Sequence, residues 1–224
     1  MTGKRKYADG CATSHALDLV GERWALPIAR ELLLGAKRFT DLRSSLPSAS
    51  PNVLAQRLRE LEDAGVVQRR TLPPPAASRV YELTEWGSEL EPVIKGLARW
   101  GSRSPFLPID AEMSADSLIL ALTTLFDPQA AEGLTARLTL HLGTDVYGVQ
   151  ITSGGLEAAR GQADSPDLAI KTDSATLSAL IWGDHSLTSA LNAGDLTIDG
   201  PVAIAERFLS LFPLPPTAQI PNRD

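Results

Sequence analysis

Apolar positions in the first hundred residues recur at helical spacing. Trp24, Ile28 and Leu32 stand at i, i+4 and i+8, which predicts a helix over residues 24–35. Pro27 suits its first turn and Gly35 its end. Phe39, Leu42 and Leu46 share one face of a second, short helix over 39–46. A third runs over 51–64, with Ser50 as N-cap, Pro51 at the first helical position, Leu54, Leu58 and Leu61 as its buried stripe, and Gly65 closing it. Two helices joined by the short polar turn 47–50 form a helix-turn-helix.

The period then changes. Residues 66–71 and 79–84 pattern as two strands of a hairpin whose connection, 72–78, is stiffened by three prolines. A hairpin directly after a helix-turn-helix is the arrangement of a winged helix. Thr84 caps a further helix with Leu90, Val93, Ile94, Leu97 and Trp100 as its apolar positions. That stripe exceeds what one small domain needs to bury, so part of it is expected to be a dimer surface.

Behind residue 112 the pattern differs again. A helix carrying Leu118, Leu122, Leu125 and Phe126 precedes alternating segments at 137–142, 146–152, 156–161 and 167–172. Gly154-Gly155 marks a turn. Asp173 caps a helix with Leu177, Leu180 and Ile181, a shorter helix spans 187–192, 196–199 reads as a final strand and 201–212 as a final helix. Successive strands with short turns, followed by helices, predict an α+β unit with an antiparallel sheet covered by helices on one face.

Charge separates the two halves. Residues 1–104 hold 16 lysines and arginines against 12 carboxylates, whereas residues 105–224 hold 5 against 15. A basic front and an acidic rear suit different partners. The stretch 101–108, polar and proline-bearing, joins them. The expected organisation is a mainly α winged helix-turn-helix with dimerisation helices at 1–104, the α+β unit at 112–213, and a tail at 214–224.

The chain of 224 residues is 43% hydrophobic and 21% charged, enough apolar material for packed cores. Its longest apolar stretch, 118–126, falls short of the roughly 20 residues of a membrane span. The charged start at residues 2–6 leads into no apolar signal core, so a cytoplasmic location is expected. One cysteine, Cys11, excludes an intrachain disulfide, and three scattered histidines make a zinc site improbable. No cofactor, metal or membrane partner is expected. Gly-rich phosphate loops, a nucleophile elbow and clustered histidines are all missing from the sequence, so no enzymatic activity is expected.

The face of the third helix opposite its leucines carries Asn52, Gln56, Arg59 and Asp63. Asn and Gln pair bidentately with adenine, and Arg with guanine or a phosphate. Recognition helices enter the groove by their N-terminal end, which favours Ser50, Asn52 and Gln56 for base edges. Arg69, Arg70 and Arg79 on the hairpin suit phosphates. The plainer alternative for this face is an ordinary solvated one.

The runs ALDLVGERW ending at Trp24, RELLLG ending at Gly35, RFTDLR ending at Arg43, SPNVLAQRLRELEDAG ending at Gly65, YELTEWG ending at Gly87 and LARWG ending at Gly101 together resemble the HxlR family of bacterial transcriptional regulators over residues 8–104. The resemblance implies a homodimeric winged-helix protein binding two-fold, double-stranded operator DNA, nucleoid-associated when bound. Half-sites would lie about 34 Å, one helical turn, apart. The expected DNA-facing set is Arg38, Ser50, Asn52, Val53, Gln56, Arg57, Arg59, Arg69, Arg70 and Arg79. In some relatives a cysteine before the first helix responds to oxidants or electrophiles. That makes Cys11 a redox candidate, its thiol acidified if Lys4, Arg5 and Lys6 come close. This chain departs from the frequent Cys-Pro opening with Cys11-Ala12. The favoured reading of Cys11 is a small buried hydrophobe near the dimer seam.

In the rear half, DLAIKTD ending at Asp173, LSALIWG ending at Gly183, AGDLTIDG ending at Gly200 and FLSLF ending at Phe212 resemble the sterol-carrier-protein-like fold of the second type. The resemblance implies an apolar cavity for a hydrophobic small molecule, with Leu140, Val149, Ile170, Leu177, Ile181, Trp182, Phe208 and Phe212 as lining residues or, alternatively, ordinary core. Three functional readings follow. They are a DNA-binding regulator modulated by a hydrophobic ligand, the same regulator with an architectural or protein-binding rear half, and a lipid carrier or accessory protein without DNA binding.

Overall fold

The computed structural model describes residues 6–75, 77–152 and 154–220. The chain forms two compact units, Met1–Ile94 and Lys95–Asp224.

The first unit opens with α1 (Ala12–Val20), α2 (Ala25–Leu32), α3 (Phe39–Ser45) and α4 (Pro51–Asp63). In α4 the Ser50 hydroxyl accepts from the Val53 amide and Pro51 occupies the first turn, as the sequence predicts. Leu54, Leu58 and Leu61 are fully buried with Ile28, Leu32 and Leu42. Helix α2 starts one residue later than predicted, because Trp24 is its N-cap in a left-handed conformation. Helix α1 is the element that apolar spacing alone missed.

The hairpin is β1 (Val67–Thr71) and β2 (Arg79–Leu83), paired antiparallel with Arg69 opposite Tyr81. Lys37 bridges to Tyr81 from the other side through both backbone hydrogen bonds, so the α2–α3 turn is stitched to the hairpin. The single helix expected after Thr84 is two, α5 (Glu85–Ser88) and α6 (Glu91–Gly101). Pro92 explains the break: it has no amide to donate and its ring clashes with a continuing turn. Thr84 caps α5 by accepting from the Gly87 amide. A Cβ on Gly87 would stand 2.0 Å from the Val66 carbonyl oxygen, so only glycine lets α5 press onto the start of the hairpin.

The second unit continues through α7 (Ala115–Leu125), β3 (Ala136–Leu142), β4 (Asp145–Thr152), β5 (Gly155–Arg160), β6 (Leu168–Thr172), α8 (Ser174–Trp182), α9 (Leu187–Ala193), β7 (Thr197–Asp199) and α10 (Val202–Leu209). The five strands are ordered β5-β4-β3-β6-β7. Leu138, Leu140, Tyr147, Val149, Ile151, Leu168 and Ile170 share one buried face.

The sheet is mixed, where the sequence suggested an antiparallel one. Strands β3 and β6 run parallel, with Leu140 opposite Ile170. The cause is the connection 161–167, which does not turn back beside β5. Gly161 donates to Val146, Ala163 donates to the Thr139 hydroxyl at 3.2 Å, and Asp167 donates to the Arg137 carbonyl. The chain thus crosses the open face from one end of the sheet to the other and enters β6 in the direction of β3. Gly148 lies beneath the crossing; a Cβ there would meet the Ala163 nitrogen at 3.1 Å.

Candidate nucleic-acid interface

Helix α4 presents the residues that could read a duplex. Its cap fixes where the helix begins, and the buried leucine stripe fixes which side faces out. Ser50, Asn52, Val53, Gln56 and Arg59 are all exposed. Gln56 is held within the helix, its Nε2 donating to Glu60 Oε1 at 3.0 Å.

Arg57 is a correction. It is 9% exposed and its guanidinium bonds to Glu60 Oε2 and, at 3.4 Å, to Glu22 Oε2 from the α1–α2 turn. A buried guanidinium bridged by two carboxylates is committed to the fold. Its Nε is buried without a hydrogen-bond partner, so the site is held by the two ion pairs alone.

The wing arginines do not form one cluster. Pleating puts Arg69 and Arg79 on one face of the hairpin with Tyr81, and Arg70 on the other with Gln68 and Glu82. Arg69 pairs with Glu62 at 2.6 Å and stacks over the Tyr81 ring, which raises its already high pKa chiefly through the Glu62 hydrogen bond. Arg70 pairs with Glu82 at 2.9 Å. Arg79 is exposed at the wing tip. Arg38, the N-cap of α3, donates from Nε to Ser78 Oγ at 3.1 Å and so joins α3 to the end of the wing loop.

Sequence reasoning passed over Thr40, Arg43 and Ser44. They are exposed on α3 at i, i+3 and i+4 and line a shallow surface concavity with Pro47. The first helix of a helix-turn-helix crosses the DNA backbone, and the 3.6-residue period would have placed these three on one outward face.

Cys11, expected as a small buried hydrophobe near the dimer seam, is exposed within the single chain. It is the N-cap of α1, and the backbone N–H of Thr13, then that of Ser14, hold its thiol below the ordinary range. Of the suggested acidifying neighbours, Lys4 and Arg5 lie outside the described residues, and Lys6 is not among the groups that lower the thiol.

In the rear unit Leu140, Val149, Ile170, Leu177, Phe208 and Phe212 are at most 1% exposed. Phe208 and Phe212 meet edge to face with centroids 5.2 Å apart. Trp182 is half-buried and donates Nε1 to the Phe212 carbonyl at 2.8 Å, and Ile181 is also half-buried. Val149 additionally borders an open groove beside the crossing segment. Among the described residues no group of three or more His, Cys, Asp or Glu side chains could hold a metal ion. No helix among them is long and apolar enough to cross a membrane.

A capped recognition helix, a helix crossing before it and a hairpin after it define a winged helix-turn-helix unit. Residues 19–105 match the family described as HxlR-like helix-turn-helix. The uncharacterized HTH-type transcriptional regulator YvaP of Bacillus subtilis is 37% identical over 87 residues, 39% of this chain and 81% of that protein. The HTH-type transcriptional regulator YodB of the same organism is 36% identical over 88 residues, 39% of this chain and 79% of its own length. The chain belongs to the HxlR family of helix-turn-helix transcriptional regulators. A solved structure of the redox regulator HypR in its oxidized form aligns over 41% of this chain and 94% of its own, with 34% identity and a TM-score of 0.38. Residues 109–218 match the family described as alkyl sulfatase C-terminal, where the sequence reading had pointed to a sterol-carrier-like unit.

Proposed function

We propose that this regulator binds double-stranded DNA as a homodimer on two-fold operators, with α4 in the major groove. The observation that carries the reading is the outward face of α4, where Asn52, Gln56 and Arg59 stand exposed beyond a hydroxyl-capped N-terminus. In this reading Asn52 and Gln56 meet base edges. Arg79, Arg43 and Thr40 hold phosphates and fix the register. Arg69 and Arg70 contribute only as far as they leave Glu62 and Glu82. Self-association is supported by apolar side chains left in solvent: Leu17 on α1, Trp86 on α5, and Val93, Leu97 and Trp100 on one face of α6.

The rear unit is read as architectural or protein-binding. Six of the eight side chains considered for a ligand cavity are sealed in the core, which favours this role over a hydrophobic-effector pocket. The acidic composition of this half keeps it from competing for the duplex.

The test is fluorescence anisotropy of the full chain against random and selected duplexes over a salt series. Binding to random duplex at low salt, with affinity falling log-linearly as salt rises, is expected. No complex with any duplex at low salt overturns the proposal. Native mass spectrometry of the same sample reads the subunit count, and a stoichiometric apolar molecule retained by the purified protein would overturn the architectural reading.

A further inference from the structure

The polar side chains of α4 are not independent. Glu60 divides its carboxylate: Oε1 accepts from Gln56 Nε2 at 3.0 Å and Oε2 accepts from Arg57. Arg57 is itself buried and held from the far side by Glu22 at 3.4 Å. Glu60 is thereby fixed on a buried anchor, while Gln56 stands exposed in front of it.

The chemistry of this arrangement restricts what Gln56 offers. A carboxylate only accepts hydrogen bonds, so the side of the amide facing Glu60 is its NH₂. One of the two N–H groups is occupied there. What remains toward solvent is the carbonyl Oε1 and a single N–H. Adenine displays a donor at N6 and an acceptor at N7 in the major groove, and matches that pair. Guanine displays two acceptors, N7 and O6, and requires two donors. An unclamped glutamine could turn its whole NH₂ toward guanine; one held by Glu60 cannot.

We infer that Glu60 is a positioning residue for specificity: anchored by Arg57 and Glu22, it orients the Gln56 amide so that Gln56 selects adenine against guanine. This rests on α4 being the recognition helix. Glu60 touches no base and acts through Gln56. Its negative charge also opposes phosphates, and that second effect is separable because it acts equally on every sequence.

The experiment is selection of the full-length protein on randomised duplexes, followed by affinities for the selected site and its adenine-to-guanine variants. Four proteins are compared: wild type, Gln56→Ala, Glu60→Gln and the double variant. The amide that Glu60→Gln introduces can either accept from or donate to Gln56, so it no longer fixes the orientation. Wild type is expected to enrich adenine at one position per half-site, and Gln56→Ala to lose preference there alone. Glu60→Gln should lower the adenine-to-guanine affinity ratio at that position by about fivefold or more, a share of the discrimination that a bidentate pair supplies. In the Gln56→Ala background it should leave base preference unchanged and act only uniformly on all duplexes through the lost charge.

An unchanged ratio in Glu60→Gln overturns the inference, including when affinity rises uniformly on all duplexes, since that outcome is charge alone. So does a Gln56→Ala protein that keeps every preference. Failure of wild type to retain any duplex overturns the DNA-binding proposal itself, and is distinguished by appearing before any variant is compared. Circular dichroism on each variant separates a local change in preference from loss of the fold.

Discussion

The Lys37 ammonium stands 2.6 Å from the Glu31 carboxylate, with the glutamate side chain fully buried and the lysine side chain 7% exposed. Lys37 also donates to Ser45 Oγ at 2.9 Å, and Arg30 pairs with the other carboxylate oxygen at 3.0 Å. One buried ion pair therefore links α2, the turn that bridges to the wing, and the end of α3. It sets the spacing of the helix-turn-helix and does not touch the proposed groove.

Removing Lys37 takes the 2.6 Å partner from a fully buried carboxylate and leaves Arg30, itself partly exposed, at 3.0 Å. Lys37→Met is expected to destabilise the first unit by about 3–5 kcal/mol, whereas Lys37→Met with Glu31→Leu restores most of that loss. Urea denaturation followed by circular dichroism measures both. Equal stability of the single variant and wild type would mean that the pair contributes nothing.

The parts of this interface that could be read in advance were those set by local rules. The Ser50 cap, the Pro51 start and the leucine stripe of α4 sit within a few residues of one another, and each acts on its own turn. The role of Arg57 needed one further step. At about 100° per residue it lies some 40° from Leu61, on the edge of the buried stripe and far from Gln56 and Arg59. What was out of reach was its second partner, since Glu22 is 35 residues away. The parallel pairing of β3 and β6 was hidden for a similar reason. The alternation in each strand is the same for either direction, and the deciding feature is a crossing that relies on Gly148 lacking a side chain.

Among the arginines, exposure and pairing predict different consequences. Arg79→Ala should weaken binding to specific and random duplexes alike and reduce the salt slope by about one. Arg43→Ala should behave in the same way. Asn52→Ala should instead cost about 1–3 kcal/mol at particular base pairs only. Anisotropy titrations at several salt concentrations separate the two classes, and a sequence-selective loss in Arg79→Ala would reverse their assigned roles.

Cys11 is predicted to react as a thiolate at lower pH than a cysteine in an unstructured peptide. The folded thiol is held below its ordinary value by the first-turn amides of α1, so the deprotonated form gains fraction as pH rises earlier than it does in the unfolded chain. The rate of iodoacetamide alkylation against pH should show its midpoint shifted downward in the native protein, and the shift should vanish in urea. Coincident native and denatured profiles would contradict the role given to Thr13 and Ser14.

In the rear unit the Tyr147 hydroxyl donates to Asp116 at 2.6 Å, the same carboxylate that accepts from Arg160. Burial above all, then the hydrogen bond to Asp116, pushes the Tyr147 phenol far above its ordinary range. The neutral phenol is therefore the folded form, and its stabilising contribution is complete below the unfolded value near pH 10. Above that pH the unfolded chain releases a proton that the folded one retains, and stability falls. Two consequences are measurable. The difference between the alkaline absorbance titrations of wild type and Tyr147→Phe should show the Tyr147 phenol ionising only with unfolding. Tyr147→Phe should lower stability at pH 7 by about 1–2 kcal/mol, because Asp116 loses a buried donor. It should also flatten the decline above pH 10. A wild-type minus Tyr147→Phe difference that titrates reversibly near pH 10 with the fold intact would place the Tyr147 hydroxyl in water and remove the basis for both effects.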